Sequence, residues 1–171
     1  MKNKSEHLTN STRINLLFVC LGNICRSPAA EAVMKSKVKA AGLEHRIDCD
    51  SAGILGFHSG KPADLRMRNQ GSKRGYHVSS LSRQIRPGID FARFDMIIGM
   101  DDLNIVDLNE LAISDNDRKK IFRITDFCVN KTASHVPDPY YGEPEDFNLV
   151  LDLLEDACDG LLVYLKKRLN S

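Results

Sequence analysis

Eight residues near the start of the chain, Cys20 to Ser27, read C-L-G-N-I-C-R-S and combine a nucleophile, a permanent cation and a pliable stretch of backbone. A loop this short, set between a buried strand and a helix, directs several backbone N–H groups inward. With the positive end of the following helix it makes a cradle for an anion. Gly22 and Asn23 are the two residues here that most easily adopt left-handed backbone angles. Arg26 offers a planar fork matched to two phosphate oxygens. Such a cradle favours the thiolate of Cys20, the nucleophilic form. The sequence has no GxxxxGK[ST], so this is not a nucleotide-triphosphatase loop. A cysteine and an arginine at this spacing occur by chance in many proteins. The fuller combination is narrower: an apolar strand before, Gly-Asn inside, then Ser and Pro opening a helix. It describes a phosphate that is attacked as well as held.

The surrounding elements must present that loop. Ile14 to Cys20 (INLLFVC) is a nearly continuous apolar run with β-branched and aromatic members, the pattern of a strand buried on both faces. From Pro28 (PAAEAVMKSKVKAAG) the chain reads as a helix, with Ser27 as its cap, Pro28 in its first turn and Gly42 as its stop. Further strands are expected at Ile47 to Ala52, Phe94 to Met100 and Lys120 to Ile124. Helices are expected over Ala63 to Arg74, ending at Gly75, and over Leu103 to Leu111. A last helix begins near Pro144. On it Phe147, Val150, Leu151, Leu154, Cys158, Leu161, Leu162 and Leu165 recur at helical spacing. Its acidic first turn and basic end suit the helix dipole. Strands alternating with helices predict a single three-layer α/β domain: a short central parallel sheet of about four strands, flanked by helices on both faces. Ligands in such folds bind at the carboxyl ends of the strands, where Cys20 lies.

At 171 residues the chain has room for one domain, here expected over residues 14–171 behind a flexible tail, residues 1–13. A formal charge of +1 argues against a globally basic nucleic-acid binder. The absence of a long apolar run predicts no membrane partner. The five cysteines, Cys20, Cys25, Cys49, Cys128 and Cys158, are odd in number and irregularly spaced, a poor disulfide framework that points to a reducing, cytoplasmic compartment. No zinc pattern is present, so no metal or other cofactor is expected.

The stretch Leu17 to Val33 (LFVCLGNICRSPAAEAV) resembles the signature of the low-molecular-weight protein tyrosine phosphatase family. Val136 to Tyr141 (VPDPYY), the Asp50-Ser51-Ala52 turn and Gly99-Met100-Asp101 are similar to further motifs of that family, in its order. The resemblance runs from about Ile14 to the final helix. It implies metal-independent hydrolysis of phosphotyrosine and aryl phosphates through a cysteinyl-phosphate intermediate. Cys20 would be the nucleophile. Leu21, Gly22, Asn23, Ile24, Cys25, Arg26 and Ser27 would form the phosphate loop, with Arg26 and the amides on the equatorial oxygens. Ser27 would donate to the Cys20 sulfur, and Asp138 would act as general acid and then as base. Asn23, Ser51 and Asp101 would brace the loop and Arg26. By itself Asp138 also reads as a turn residue, since Asp-Pro is a common turn pair.

The implied partners are phosphotyrosine proteins or peptides, with phosphate, sulfate or vanadate able to sit in the loop, and a monomer is the default state. Tyr140 and Tyr141 could wall a slot for a planar ring, with Leu21 and Ile24 as its inner rim. Phe57 falls where the family often has an aromatic residue, although a core position is its other reading. Aromatic walls favour an aryl phosphate over a short serine phosphate. Ser80 stands where many members have a histidine, leaving open whether a hydroxyl replaces that hydrogen bond. Cys25 reads either as a partner for a reversible disulfide with Cys20 or as a small residue filling the underside of the loop. A thioredoxin-coupled arsenate reductase would need a further close cysteine pair, and none lies between Cys49 and Cys128. A silent phosphate-binding module would need neither thiol nor acid.

Overall fold

A computed structural model describes residues 12–171. Four strands, β1 (Ile14–Cys20), β2 (Ile47–Gly53), β3 (Met96–Gly99) and β4 (Ile121–Arg123), form a wholly parallel sheet in the order β2-β1-β3-β4. Six helices connect or cover them: α1 (Arg26–Ala40), α2 (Leu65–Lys73), α3 (Pro87–Arg93), α4 (Asp102–Leu111), α5 (Asp115–Arg118) and α6 (Pro144–Leu169). A short 3-10 turn, Ile124–Phe127, follows β4. This is the expected three-layer α/β domain. Among the described residues no helix is long and apolar enough to cross a membrane. Of the expected tail, residues 1–11 lie outside the described residues, and Thr12 and Arg13 are exposed.

The apolar run of β1 is continuous because both its faces are covered. Ile14, Leu16, Phe18 and Cys20 pack with residues of α1 and α6, whereas Leu17 and Val19 pack with Phe91, Phe94 and Leu108 on the other side. The stripe on α6 closes the first face. Phe147, Val150, Leu151, Leu154, Cys158, Leu161 and Leu165 are fully buried there, and Leu162 is half-buried.

Several expected boundaries move. The first helix starts at Arg26, with Cys25 at its cap position and Ser27 inside its first turn. It ends as foreseen, at Gly42 with φ 67°, where Gly42 N bonds Lys39 O and Leu43 N bonds Val38 O. The third strand is shorter than Phe94 to Met100, because Phe94 closes α3 and is buried on the second face. The short helices α3 and α5 carry too few turns to show a periodicity and are additional to the expected set.

The strand order places the site. From β1 the chain passes through α1 to β2 on one side, then returns to β3 on the other side of β1. The carboxyl ends of β1 and β3 therefore diverge at a topological switch point, where such sheets open a crevice. Cys20 ends β1, and Met100-Asp101 follow β3.

Candidate active site

Only Leu21 to Cys25 separate β1 from α1. Asn23 takes the left-handed conformation with φ 56°, and Gly22, expected to share that role, does not. The loop carbonyls are drawn outward. Ile54 N donates to Cys20 O at 3.0 Å, Leu55 N to Leu21 O at 2.9 Å and Asp64 N to Ile24 O at 2.8 Å. Ser82 Oγ donates to Asn23 O at 2.6 Å. Among the described residues none accepts from the amides of Leu21 to Cys25, as an anion cradle requires. Gly53 makes this packing possible, since a Cβ there would lie 3.0 Å from both Asn23 N and the Gly22 carbonyl carbon.

Beneath the loop Cys20 is buried, with its sulfur 3.0 Å from Ser27 Oγ. Asn23 Nδ2 donates to Ser27 Oγ at 2.8 Å and to Ser51 Oγ at 3.0 Å. Its Oδ1 accepts from Arg83 N at 3.0 Å, which fixes the orientation of the amide. Arg26 is 2% exposed, and its Nη1 donates to Asp101 Oδ2 at 2.5 Å and to Val136 O at 3.0 Å. Asp101 also caps α4 by accepting from Asn104 N at 2.8 Å. One carboxylate thus locks the end of β3, the start of α4 and the guanidinium together.

The segment bearing Asp138 hangs from the same strand end, where Val136 N donates to Met100 O at 2.9 Å. Asp138 Oδ1 accepts from Tyr140 N at 3.1 Å, and its Oδ2 lies 3.8 Å from Arg26 Nη2. Its side chain is half exposed, so it faces the opening of the site. The sequence-expected catalytic residues Cys20, Arg26 and Asp138 line one cleft of about 290 Å³. Leu21, Ile24, Phe57, Tyr140 and Tyr141 share it. Phe57 is 81% exposed and Tyr141 97%, so both stand at the mouth and Phe57 is no core residue. The tyrosine rings meet edge to face at 4.9 Å.

Other contacts carry no local sequence signal. Glu31 is a buried carboxylate that accepts from Ser51 Oγ at 2.6 Å. Arg66 forks onto Asp64 and lies over the rings of Phe147 at 4.7 Å and Tyr140 at 5.5 Å. Leu55 and His58 join the cleft wall. Ser80 is half-buried and borders a shallow notch with Glu31 and Lys35, while Ser82 is the serine that holds the loop. Apart from the local fork of Arg66 onto Asp64, each partner is distant in sequence, and only the fold brings it near. Cys25 is buried, and burial, followed by the negative field of Asp64, pushes its thiol well above the usual cysteine range. The five cysteines are unpaired. Among the described residues no cluster of three or more His, Cys, Asp or Glu side chains could hold a metal ion.

A family model described as low molecular weight phosphotyrosine protein phosphatase matches residues 15–171. A putative low molecular weight protein-tyrosine-phosphatase of Synechocystis is 46% identical over 156 residues, covering 91% of this chain and 99% of the relative. The crystal structure of a protein tyrosine phosphatase from Entamoeba histolytica, with Hepes in its active site, superposes with a TM-score of 0.87 at 47% identity. That match covers 90% of this chain and 97% of the other. Vibrio vulnificus Wzb in complex with benzylphosphonate superposes at 0.75 with 26% identity, over 87% of this chain and 97% of its own.

Proposed function

The chain belongs to the low molecular weight phosphotyrosine protein phosphatase family, a family of hydrolases, and from that premise we propose how its residues divide the reaction. The Cys20 sulfur attacks phosphorus as the bond from phosphorus to the phenolic oxygen breaks, and Asp138 gives its proton to the departing phenolate. In the second step Asp138 takes a proton from water, the water oxygen bonds to phosphorus, and the cysteinyl sulfur leaves. Arg26 and the amides of Leu21, Gly22, Asn23, Ile24, Cys25 and Ser27 hold the equatorial oxygens, where charge spreads in the transition state. This protein-borne charge does the work a metal would otherwise do. Asn23, Ser51 and Asp101 keep loop and guanidinium in register.

One observation carries the reading. The sulfur of Cys20 sits 3.0 Å from the Ser27 hydroxyl, in the cleft that Arg26 lines, and the Asp138 carboxylate is 3.8 Å from that same guanidinium. Phosphotyrosine in proteins or peptides is the substrate, its ring held between Phe57 and the Tyr140–Tyr141 pair. The benzylphosphonate in complex with the Vibrio relative, a ring one CH2 from its phosphonate, supports that class, and phosphate, sulfate or vanadate would take the same loop. We further take residues 14–171 as a monomeric, cytoplasmic phosphatase domain behind its tail. Irregularly spaced cysteines favour a reducing compartment.

Hydrolysis of p-nitrophenyl phosphate without added metal tests the reading. Turnover should persist in chelator, disappear in Cys20→Ser and be inhibited by vanadate. Chelator-sensitive turnover, or an active Cys20→Ser enzyme, would remove it.

A further inference from the structure

An ion pair four residues apart on a helix is ordinarily worth little. The pair of Lys35 and Glu31 in α1 differs, because its two ends occupy different environments. The Lys35 side chain is 54% exposed and that of Glu31 only 5%, with Nζ and Oε1 2.6 Å apart. The other oxygen of the carboxylate accepts from Ser51 Oγ at 2.6 Å. Lys35 therefore compensates a buried anion whose other oxygen faces Ser51 of β2, the residue beside Asn23 of the loop.

The proton inventory makes this contact directional. An ionised carboxylate only accepts, so the single hydroxyl proton of Ser51 is spent on Glu31. Ser51 Oγ can then only accept from Asn23 Nδ2, at 3.0 Å. The second hydrogen of that amide goes to Ser27 Oγ at 2.8 Å. The amide cannot reverse, because its oxygen is engaged by Arg83 N. Ser27 Oγ thus accepts from Asn23 and keeps its own proton free for Cys20 Sγ at 3.0 Å, against a longer alternative at Ala52 O, 3.4 Å away.

We propose that Lys35 is a positioning residue for this phosphatase. By holding the Glu31 carboxylate against Ser51 Oγ it keeps that hydroxyl an acceptor for Asn23; together with Arg83 N on the amide oxygen this seats Asn23 on Ser27 and aims the Ser27 proton at the nucleophile. The inference rests on Cys20 being the attacking group. It names a residue of the outer surface of α1, remote from the cleft, as a determinant of the second chemical step. In that step the sulfur leaves carrying negative charge, and the donated proton stabilises it.

The test is pre-steady-state hydrolysis of p-nitrophenyl phosphate, whose good leaving group makes breakdown of the intermediate rate-limiting. Lys35→Met should lower kcat about fivefold, the order of one misdirected hydrogen bond, with KM falling in step so that kcat/KM stays within about twofold. The burst of p-nitrophenol should remain. Glu31→Gln, whose amide can donate as well as accept, should give the same split. Lys35→Arg should restore wild-type turnover. Unchanged kcat in Lys35→Met, an equal fall of kcat and kcat/KM, or an Arg variant as slow as the Met variant would each overturn the proposal. The wild-type burst and its loss in Cys20→Ser report on the nucleophile separately.

Discussion

At the scale of single residues, the proposed acid is held less firmly than the proposed nucleophile. Cys20 and Arg26 are buried, and Arg26 is fixed on two sides by Asp101 and Val136 O. Asp138 is half exposed and, among the described residues, anchored only by the Tyr140 amide and the nearby guanidinium. That contrast fits the two duties assigned to it. A carboxyl that must give a proton to one oxygen and then collect one from water needs access to solvent, whereas a nucleophile needs shelter. Asp138→Ala should lower kcat for phenyl phosphate by about 10²–10⁴, the usual worth of a positioned acid. The deficit should shrink as the leaving group is made more acidic, because a good phenolate departs without a proton. A slope of log kcat against leaving-group pKa that is no steeper in the variant than in the wild type would show that Asp138 is not the acid.

At the scale of elements, the site depends on a loop packed tightly against the end of β2. A Cβ on Gly53 would meet backbone at Asn23 and Gly22, and it would lie 2.9 Å from Leu55 O, so no rotamer change can relieve it. Gly53→Ala should therefore push on the proposed phosphate loop itself. The expected cost is about 1–3 kcal/mol of stability, as for other overpacked positions, together with weaker phosphate inhibition. Chemical denaturation and the inhibition constant for phosphate measure both, and an unchanged constant would place the displacement elsewhere. The strand-loop-helix unit holding this contact was legible from sequence because its signals are local: an apolar run, a Gly-Asn bend and a Ser-Pro pair. The same locality misled about the helix start. Ser27 has the composition of a cap, but its hydroxyl serves the Cys20 sulfur, so the helix begins at Arg26 without a side-chain cap. Phe57 was ambiguous for a related reason, since residue type alone does not separate a wall from a core. Glu31, Arg66, Ser82 and Arg83 were invisible, because each acts on a residue far along the chain. Asp138 escaped that fate only through its motif.

At the scale of the whole molecule, α6 fastens the segment that leads toward Asp138. The chain from the 3-10 turn to Val136 crosses α6 closely enough that a Cβ on Gly160 would overlap Phe127 O, at 1.8 Å. Asp156, buried on α6, then gathers the next residues, accepting from Val129 N at 2.9 Å and from Asn130 N and Lys131 N at 3.0 Å. Desolvation alone would raise the carboxyl of Asp156. The amides of Lys131, Asn130 and Val129 outweigh it and hold the group below the usual carboxylate range. A lowered pKa in the folded state means that the unfolded chain binds more protons in the acid range, so stability rises with pH there. The contribution is present above the ordinary aspartate pKa and is lost as the pH falls through the lowered, folded value. Asp156→Asn should cost about 1–3 kcal/mol at neutral pH, because a neutral oxygen serves three amides poorly. The gap between variant and wild type in urea denaturation should narrow as the solution is acidified through the carboxylate range. A gap constant with pH would mean that packing, rather than the charge of Asp156, fastens this segment to α6.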